Sequence, residues 1–179
     1  VFFDRCLKNA GDAVTKSLKK TTPVTHIAHG EARVEKVAAN RRIIGLNGKL
    51  ISQRGSSSRK PEHHRFPEGL IDPMLKTVAF YNGNKKLVAS HFYACHPMSY
   101  YGDGRVSADF CGLARRRMQK QEPDCLHLYF NGCGGNIGAG KYNNGSKEAR
   151  IELTQRMFDG ITTSNATLKP EPIRSFAWE

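Results

Sequence analysis

The stretch KTVAFYNGNKKLVASHFYAC, residues 76–95, decides the fold class. Two apolar and aromatic runs flank Asn82-Gly83, and an Asn-Gly pair between such runs is typical of a tight β-hairpin turn. The sequence therefore predicts a hairpin with strands at Lys76–Tyr81 and Leu87–Cys95. The second strand is strongly apolar, so we expect it in the interior of a sheet. Pro97 ends it, because proline cannot donate to the ladder.

Helical and strand-like patterns alternate on either side of the hairpin. Apolar residues recur at helical spacing from Phe2 to Lys20, and weak alternation predicts strands within Val24–Ala39. Leu126–Phe130 is predicted to form a short buried strand, and Ser146 is expected to cap a last helix. This order predicts an α/β fold with a mixed, largely parallel sheet flanked by helices.

The segment after the hairpin is expected to contain a turn and a helix. Gly102-Asp103-Gly104 is turn sequence, and Ser107 is expected to cap a helix that runs through Gln119. Asp109 falls in the first turn of that helix, where a carboxylate suits the helix dipole. We expect Asp103, Ser107 and Asp109 to shape the wall of a site without taking part in chemistry.

Length and composition limit the class of protein. The chain has 179 residues, which suits one domain spanning 1–179 with its own core. No apolar run approaches the roughly 20 residues that span a bilayer, and the start lacks the layout of a signal peptide. The start falls within a pattern, so we expect a piece of a longer domain. Residues 51–67 are predicted to form a polar loop, either mobile or shaped by a partner.

The charge favours anionic partners without identifying one. Lys and Arg number 28 against 16 Asp and Glu, which gives a net charge of +12. Such an excess favours nucleic acid or an anionic membrane surface. The basic residues are scattered, however, and no aromatic RNA-binding signature accompanies them, which argues against nucleic acid. A basic surface that only aids solubility accounts for the charge better.

The five cysteines do not form a recognisable framework. No two of them make a C-x-x-C pair, which argues against a zinc ribbon and a dense disulfide scaffold. A single disulfide stays open, and the default for each thiol is a buried small apolar group.

The stretch GGNIGAGKYNNGS, residues 134–146, resembles a phosphate-binding P-loop but fails its requirements. Gly135, Gly140 and Lys141 match the glycines and the lysine of that motif. Tyr142 stands where a small hydroxyl should bind Mg²⁺, and turn sequence follows where a P-loop would enter a helix. The sequence therefore predicts no nucleotide site.

Two strands end in residues suited to function. His96 follows the second hairpin strand, where it could bind a metal, transfer a proton or make a structural hydrogen bond. The loop after Phe130 carries glycines that let backbone approach a ligand or an anion, or that only make a tight crossover. Ligand-binding candidates are Gly134, Gly135, Asn136 and Lys141, the last otherwise a surface cation. If the strands are parallel, this loop should pass beside His96.

Four stretches together resemble a known family. FYACHPMSYYGDGRVSADFCGLA (92–114), LHLYFNGCGGNIGAGKYNNG (126–145), VAANR (37–41) and PEGLIDP (67–73) are similar to the N-terminal catalytic domain of neutral/alkaline non-lysosomal ceramidases. The divergent bacterial ceramidase-like members are the most similar. The resemblance covers roughly residues 25–145, and it implies that the chain is part of a larger catalytic domain.

This resemblance implies a zinc-dependent hydrolase that cleaves the N-acyl bond of a lipid-like amide. His96 matches one zinc-ligand histidine of the family, whose other ligands, a histidine, a glutamate and a tyrosine, would fall outside this chain. The segment alone is therefore expected to be inactive. Arg41 matches an arginine that lines the substrate site, where it would polarise a carbonyl or hold a carboxylate; otherwise it is a surface residue beside Arg42. The family also suggests a secreted, periplasmic or cell-surface location.

One departure from the family pattern argues against the hypothesis that this chain is catalytic. Typical members carry a functional serine in Gly-Asp-x-Ser-Pro, whereas Gly132–Asn136 has none. Cys133 is then either a nucleophile, a soft metal ligand or a buried inert thiol. Two alternatives follow: a non-catalytic relative that binds a ligand at this loop, and a basic module that binds a polyanion or membrane surface.

Overall fold

A computed structural model describes residues 1–100, 104 and 106–177. The helices are α1 Phe2–Ser17, α2 Pro61–Arg65, α3 Asp109–Gln121 and α4 Lys147–Ala166. The strands are β1 His26–Arg33, β2 Ala39–Asn40, β3 Arg42–Ile44, β4 Leu50–Gln53, β5 Met74–Asn82, β6 Lys85–Tyr93, β7 Leu126–Asn131, β8 Ile137–Gly138 and β9 Glu171–Pro172.

The main sheet has five strands in the order β7-β6-β5-β1-β9. It is mixed and carries helices, as predicted, but it is not largely parallel. Within the part of the chain that the structure describes, β6 and β7 are the only parallel neighbours, whereas β5–β6, β1–β5 and β1–β9 are antiparallel. The parallel pair requires a crossover, and α3 supplies it.

The predicted hairpin is confirmed. Strands β5 and β6 pair with Ala79 opposite Ala89, and Gly83 in the turn has a φ of +56° that favours glycine. The second strand lies between β5 and β7, inside the sheet. The prediction for Leu126–Phe130 is wrong in one respect: β7 is an edge strand of the main sheet, and Leu126 and Phe130 are about half exposed.

Helices α3 and α4 pack against each other; α4 contacts β1 and β5, and α3 contacts β7. The core between them includes Leu75, Phe110, Leu153 and Met157, all fully buried. Gly160 brings α4 close to the sheet, because a Cβ there would stand 2.6 Å from Val34 Cγ2.

Of the two predicted helix caps, the one at α4 is confirmed and the one at α3 is wrong. Ser146 caps α4 as predicted, accepting a hydrogen bond from Ala149 N at 3.1 Å. Ser107, however, is not the N-cap of α3: Ala108 holds that position without a side-chain cap bond. The Ser107 hydroxyl instead accepts from Asp109 N at 3.0 Å. The expected turn at Gly102-Asp103-Gly104 lies largely outside the described residues.

Helix α1 confirms the predicted first helix, although it ends at Ser17. None of its residues is buried. Across the residues that the structure describes, every helix is too short or too polar to cross a membrane.

Candidate functional site

The carboxyl ends of β6 and β7 meet at one edge of the sheet. Gly132 N donates to Tyr93 O at 2.9 Å, and His96 N donates to Ile137 O at 3.2 Å. The glycine loop after β7 therefore passes beside His96, which confirms the predicted neighbourhood. The cause is the parallel pairing, since parallel strands place their carboxyl ends together.

Backbone carbonyls fix the ring of His96. Its Nδ1 lies 2.9 Å from Gly134 O and 3.0 Å from Ile137 O. Carbonyl oxygens only accept hydrogen bonds, so we place the proton on Nδ1. In the neutral ring, Nε2 then carries a lone pair, and no described residue hydrogen-bonds to it. This arrangement suits metal binding or proton acceptance through Nε2.

The glycines of the loop serve different purposes. A Cβ on Gly134 would stand 3.1 Å from the backbone of Ala94 and Cys95, whereas a Cβ on Gly135 would meet nothing within 4 Å. Gly134 N also donates to Gly132 O at 2.8 Å, so this N–H is not free for an oxyanion. Room for a ligand lies at Gly135 instead.

Arg41 reaches the same loop from the end of β2. Strand β2 pairs with β8, and Arg41 N donates to Asn136 O at 2.8 Å. The side chain is partly buried, so Arg41 is not the surface residue that the sequence left open as the alternative to a substrate-binding arginine. Its Nη2 donates to Ser56 Oγ at 2.7 Å, while its buried Nε has no hydrogen-bond partner among the described residues. This Nε lies 3.4 Å from where a Cβ on Gly138 would stand.

Two predicted ligand-binding side chains are engaged within the chain. Lys141 Nζ donates to His64 O at 2.8 Å and to Phe66 O, and burial lowers the pKa of Lys141. It is therefore neither the surface cation nor the free anion anchor that the sequence suggested. Asn136 Nδ2 donates to Asn40 Oδ1 at 3.0 Å, which ties the loop to β2.

The cysteines are all free, so no disulfide forms. Cys133 is exposed, so the prediction of a buried inert thiol is wrong. No described side chain that could act as a base forms a hydrogen bond with this thiol. Cys95 is buried beside His96, and burial raises its pKa to about 12. Neither thiol therefore has the environment of an activated nucleophile.

Arg54 is the residue of this region that the sequence did not single out. It is buried, and its guanidinium donates to the carbonyl oxygens of Asn40, His63, Phe66, Pro67 and Glu68 at 2.6–3.4 Å. Burial lowers its pKa. Residues 51–67, expected to form a polar loop, thus contain part of β4 and all of α2 and are ordered by contacts within the chain.

Asp109 and Asn143 hold the wall of the site. Asp109 accepts from Ser99 N at 3.0 Å and from the Ser99 hydroxyl, which ties the segment after His96 to α3. Asn143 Nδ2 donates to Ser56 O at 2.8 Å and Ser99 O at 2.9 Å. The predicted wall role fits Asp109, which is buried with a φ of +52°. Asp103 lies outside the described residues.

The described residues around His96 do not form a complete metal site. Among the described residues, His96 is not part of any group of three or more His, Cys, Asp or Glu side chains close enough to share an ion. A catalytic zinc usually has three protein ligands. His96 fits one position of such a site, and the described residues do not complete it.

Comparison with known proteins identifies the fold. No family model matches the sequence, and no curated protein matches it. Among solved structures, the chain is similar to a ceramidase complexed with C2, with a TM-score of 0.57 and 14% identity over 80% of this chain and 22% of that chain. It is also similar to neutral ceramidase from Pseudomonas aeruginosa, with a TM-score of 0.59 and 17% identity over 86% of this chain and 24% of that one.

The chain thus spans less than a quarter of the length of these ceramidases. At this level of identity, the similarity shows a shared fold. It agrees with the resemblance carried by the His-Pro segment and the glycine loop. The chain has the fold of one part of a neutral ceramidase.

Proposed function

We propose that the chain is part of a ceramidase-type hydrolase that cleaves an amide or a related bond where β6 and β7 end. The observation that carries this proposal is the ring of His96, whose Nδ1 is held by two carbonyls so that Nε2 is left to act. The shared fold supports it. The solved neighbours are named for action on ceramide, a lipid amide, so an amide-bearing, lipid-like substrate is part of the proposal.

His96 Nε2 would hold a zinc ion in this site. Bound zinc supplies Lewis acidity and lowers the pKa of a bound water. The remaining ligands would come from outside the described residues, so we expect the 179-residue chain alone to be inactive. The two carbonyls behind the ring accept from Nδ1, which sets the tautomer of the neutral ring and fixes the direction of Nε2.

Arg41 would bind the substrate carbonyl. Its guanidinium is fixed by Ser56, and its Nε–H has no partner among the described residues although it is buried beside Gly138. A buried donor without a partner costs free energy, which an incoming oxygen would recover. Such a donor stabilises negative charge that develops on a carbonyl oxygen during attack. The open space at Gly135 leaves room for the groups next to that carbonyl.

The test uses the complete polypeptide that the gene encodes. Hydrolysis of a short-chain N-acylsphingosine with a fluorescent acyl group is measured together with zinc content. We expect His96→Ala to lose one equivalent of zinc relative to the wild type, together with the activity, because it removes a ligand of that ion. We expect Arg41→Gln to keep zinc and lose about 10²–10³-fold in kcat, because one charge-stabilising donor is removed.

His29→Ala is the matched control, since His29 is an exposed histidine on β1. It should keep both zinc and turnover. Full zinc retention and unchanged turnover in His96→Ala would contradict the proposal.

A second function is favoured by the loop itself. The loop lacks a serine, and Cys133 is exposed without a hydrogen-bonded base among the described residues. A relative that binds an amide lipid without cleaving it would show these features. Zinc-free protein that binds the fluorescent amide, and loses that binding in Arg41→Gln, would favour this alternative.

A further inference from the structure

We propose that Glu122, Cys125 and His127 form a metal site for Zn²⁺, separate from the edge that carries His96. The three residues lie in the connection from α3 into β7, at the amino end of β7, whereas the glycine loop follows its carboxyl end. Their ligand atoms all lie within 4.8 Å of one another. The inference does not depend on the proposed hydrolase function.

The spacing of two of these atoms suits a shared ion. His127 Nε2 and Glu122 Oε2 are buried atoms 3.4 Å apart. His127 Nε2 has no hydrogen-bond partner among the described residues, and Glu122 Oε2 forms an ion pair with Lys86. Two ligands at about 2.0–2.1 Å from a tetrahedral zinc stand about 3.3 Å apart. The pair is therefore placed as two ligands of one ion would be.

A chain of hydrogen bonds supports His127 from behind. Its ring is fully buried, and Nδ1 lies 3.0 Å from His91 Nε2. His91 Nδ1 lies 2.9 Å from Thr77 Oγ1, which in turn accepts from Ser164 Oγ at 2.7 Å. With a proton on His127 Nδ1, the ring donates to His91 and presents the Nε2 lone pair. Metal-binding histidines are usually oriented by such a partner on their other nitrogen.

Cys125 completes a mixed ligand set. Its thiol is free and buried, and burial raises its pKa to about 11, so it carries a proton at neutral pH. Metal binding would release that proton, as it does for coordinating thiols. A thiolate, an imidazole and a carboxylate together suit zinc, whereas Mg²⁺ and Ca²⁺ prefer sites made of oxygen ligands.

Lys86 is the competitor for this site. Its ammonium lies 2.5 Å from Glu122 Oε2 and donates to Asn165 Oδ1 at 2.9 Å. A dication on Glu122 would repel this ammonium, which would have to move away from the carboxylate. The Lys86 ammonium thus competes for Glu122, and metal binding must displace it.

Cobalt(II) is the probe, because a thiolate bound to Co²⁺ gives a charge-transfer band in the near ultraviolet. The 179-residue chain is first stripped of metal and then titrated with Co²⁺. We expect the band to form in the wild type, to disappear in Cys125→Ser, and to weaken in Glu122→Gln. Zn²⁺ should displace the band and raise the melting temperature of the wild type.

Two controls separate this site from other candidates. Cys133→Ser removes an exposed thiol, and His96→Ala removes the ligand at the other edge; both should keep the band. Lys86→Met should bind Co²⁺ at least about tenfold more tightly, because the competing charge is gone. Because Cys125→Ser could unfold, Lys86→Met tests the site with all three ligands intact. Absence of the band in the wild type, or its survival in folded Cys125→Ser, would overturn the proposal.

Discussion

The two adjacent glycines beside His96 have different surroundings. Gly134 lies against the end of β6, where a Cβ would come within 3.1 Å of backbone atoms that cannot move easily. Gly135 borders open space, and neither residue has a positive φ. A side chain is thus excluded sterically at Gly134, whereas the space beside Gly135 is open.

We expect Gly134→Ala to lower the free energy of unfolding by about 2 kcal/mol, since the new methyl overpacks the strand end. Gly135→Ala should change it by no more than about 0.5 kcal/mol, as for other open positions. Chemical denaturation of both variants measures the difference. If Gly135 borders the ligand, its variant should also bind the fluorescent amide more weakly while remaining stable. Equal stability of the two variants would contradict this assignment.

At the scale of elements, one buried arginine joins the segment 51–67 to the rest of the site. Arg54 donates to the carbonyl oxygens of Asn40, at the end of β2, and of His63, in α2. Lys141 of the glycine loop donates to the carbonyl oxygens of His64 and Phe66, at the end of the same helix. These bonds replace the apolar core that a polar segment lacks. The segment is therefore ordered by cations that bind its carbonyl oxygens.

We expect Arg54→Lys to be severely destabilising, by about 3 kcal/mol. An ammonium lacks the planar fork of a guanidinium and leaves buried carbonyls without donors. Arg59→Lys is the matched control, because Arg59 lies in the same segment and is exposed. Urea unfolding compares the two. A loss of less than about 0.5 kcal/mol in Arg54→Lys would show that the segment is held in another way.

At the scale of the whole molecule, two stacked histidines link the sheet to its helices. His91 and His127 are fully buried on neighbouring strands, and Thr77 joins His91 to Ser164 on α4. Burial, His127 and Lys86, in that order, lower the pKa of His91 to about 3. Burial also lowers the pKa of His127, partly opposed by Glu122. Both rings are therefore neutral in the folded protein at pH 7.

Acid should destabilise the fold through this pair. In the unfolded chain His91 binds a proton near pH 6.5, whereas in the folded protein it stays neutral until about pH 3. Its contribution to the free energy of unfolding is therefore present above pH 6.5 and is lost as the pH falls toward 3. The slope should approach about 1.4 kcal/mol per pH unit for one such group. His91→Gln keeps a donor and an acceptor without titrating, and in metal-free buffer it should flatten the slope between pH 6.5 and 4.5.

His29→Gln serves as the control, because His29 is exposed on β1, a strand that adjoins neither β6 nor β7. Melting temperatures of the wild type and of both variants, measured between pH 6.5 and 4.5, give the slopes to be compared. An identical slope in the wild type and in His91→Gln would show that the buried pair does not set the acid response.

The sequence alone determined the local features of this protein. The Asn-Gly turn, the strands beside it, the helices α1, α3 and α4 and the cap at Ser146 follow from spacing and side-chain chemistry over a few residues, whereas α2 was not predicted. The glycine loop was correctly placed beside His96. Lys141 and Arg54 could not be assigned in this way. Their partners are backbone carbonyls, which have no signature in the sequence, and which of them is near is decided by the path of the chain.

Only the tertiary structure decided which strands are neighbours and which side chains meet. Glu122, Cys125 and His127 lie close in sequence but have no standard metal-ligand spacing, and the orientation of His127 depends on His91 of the adjacent strand. Strand order likewise placed β7 at the edge of the sheet despite its apolar residues. The pairing of strands and the contact of His127 with His91 join residues far apart in the chain, so the packing of the whole molecule selects them. Turns and caps, in contrast, are selected by short-range sterics and hydrogen bonds.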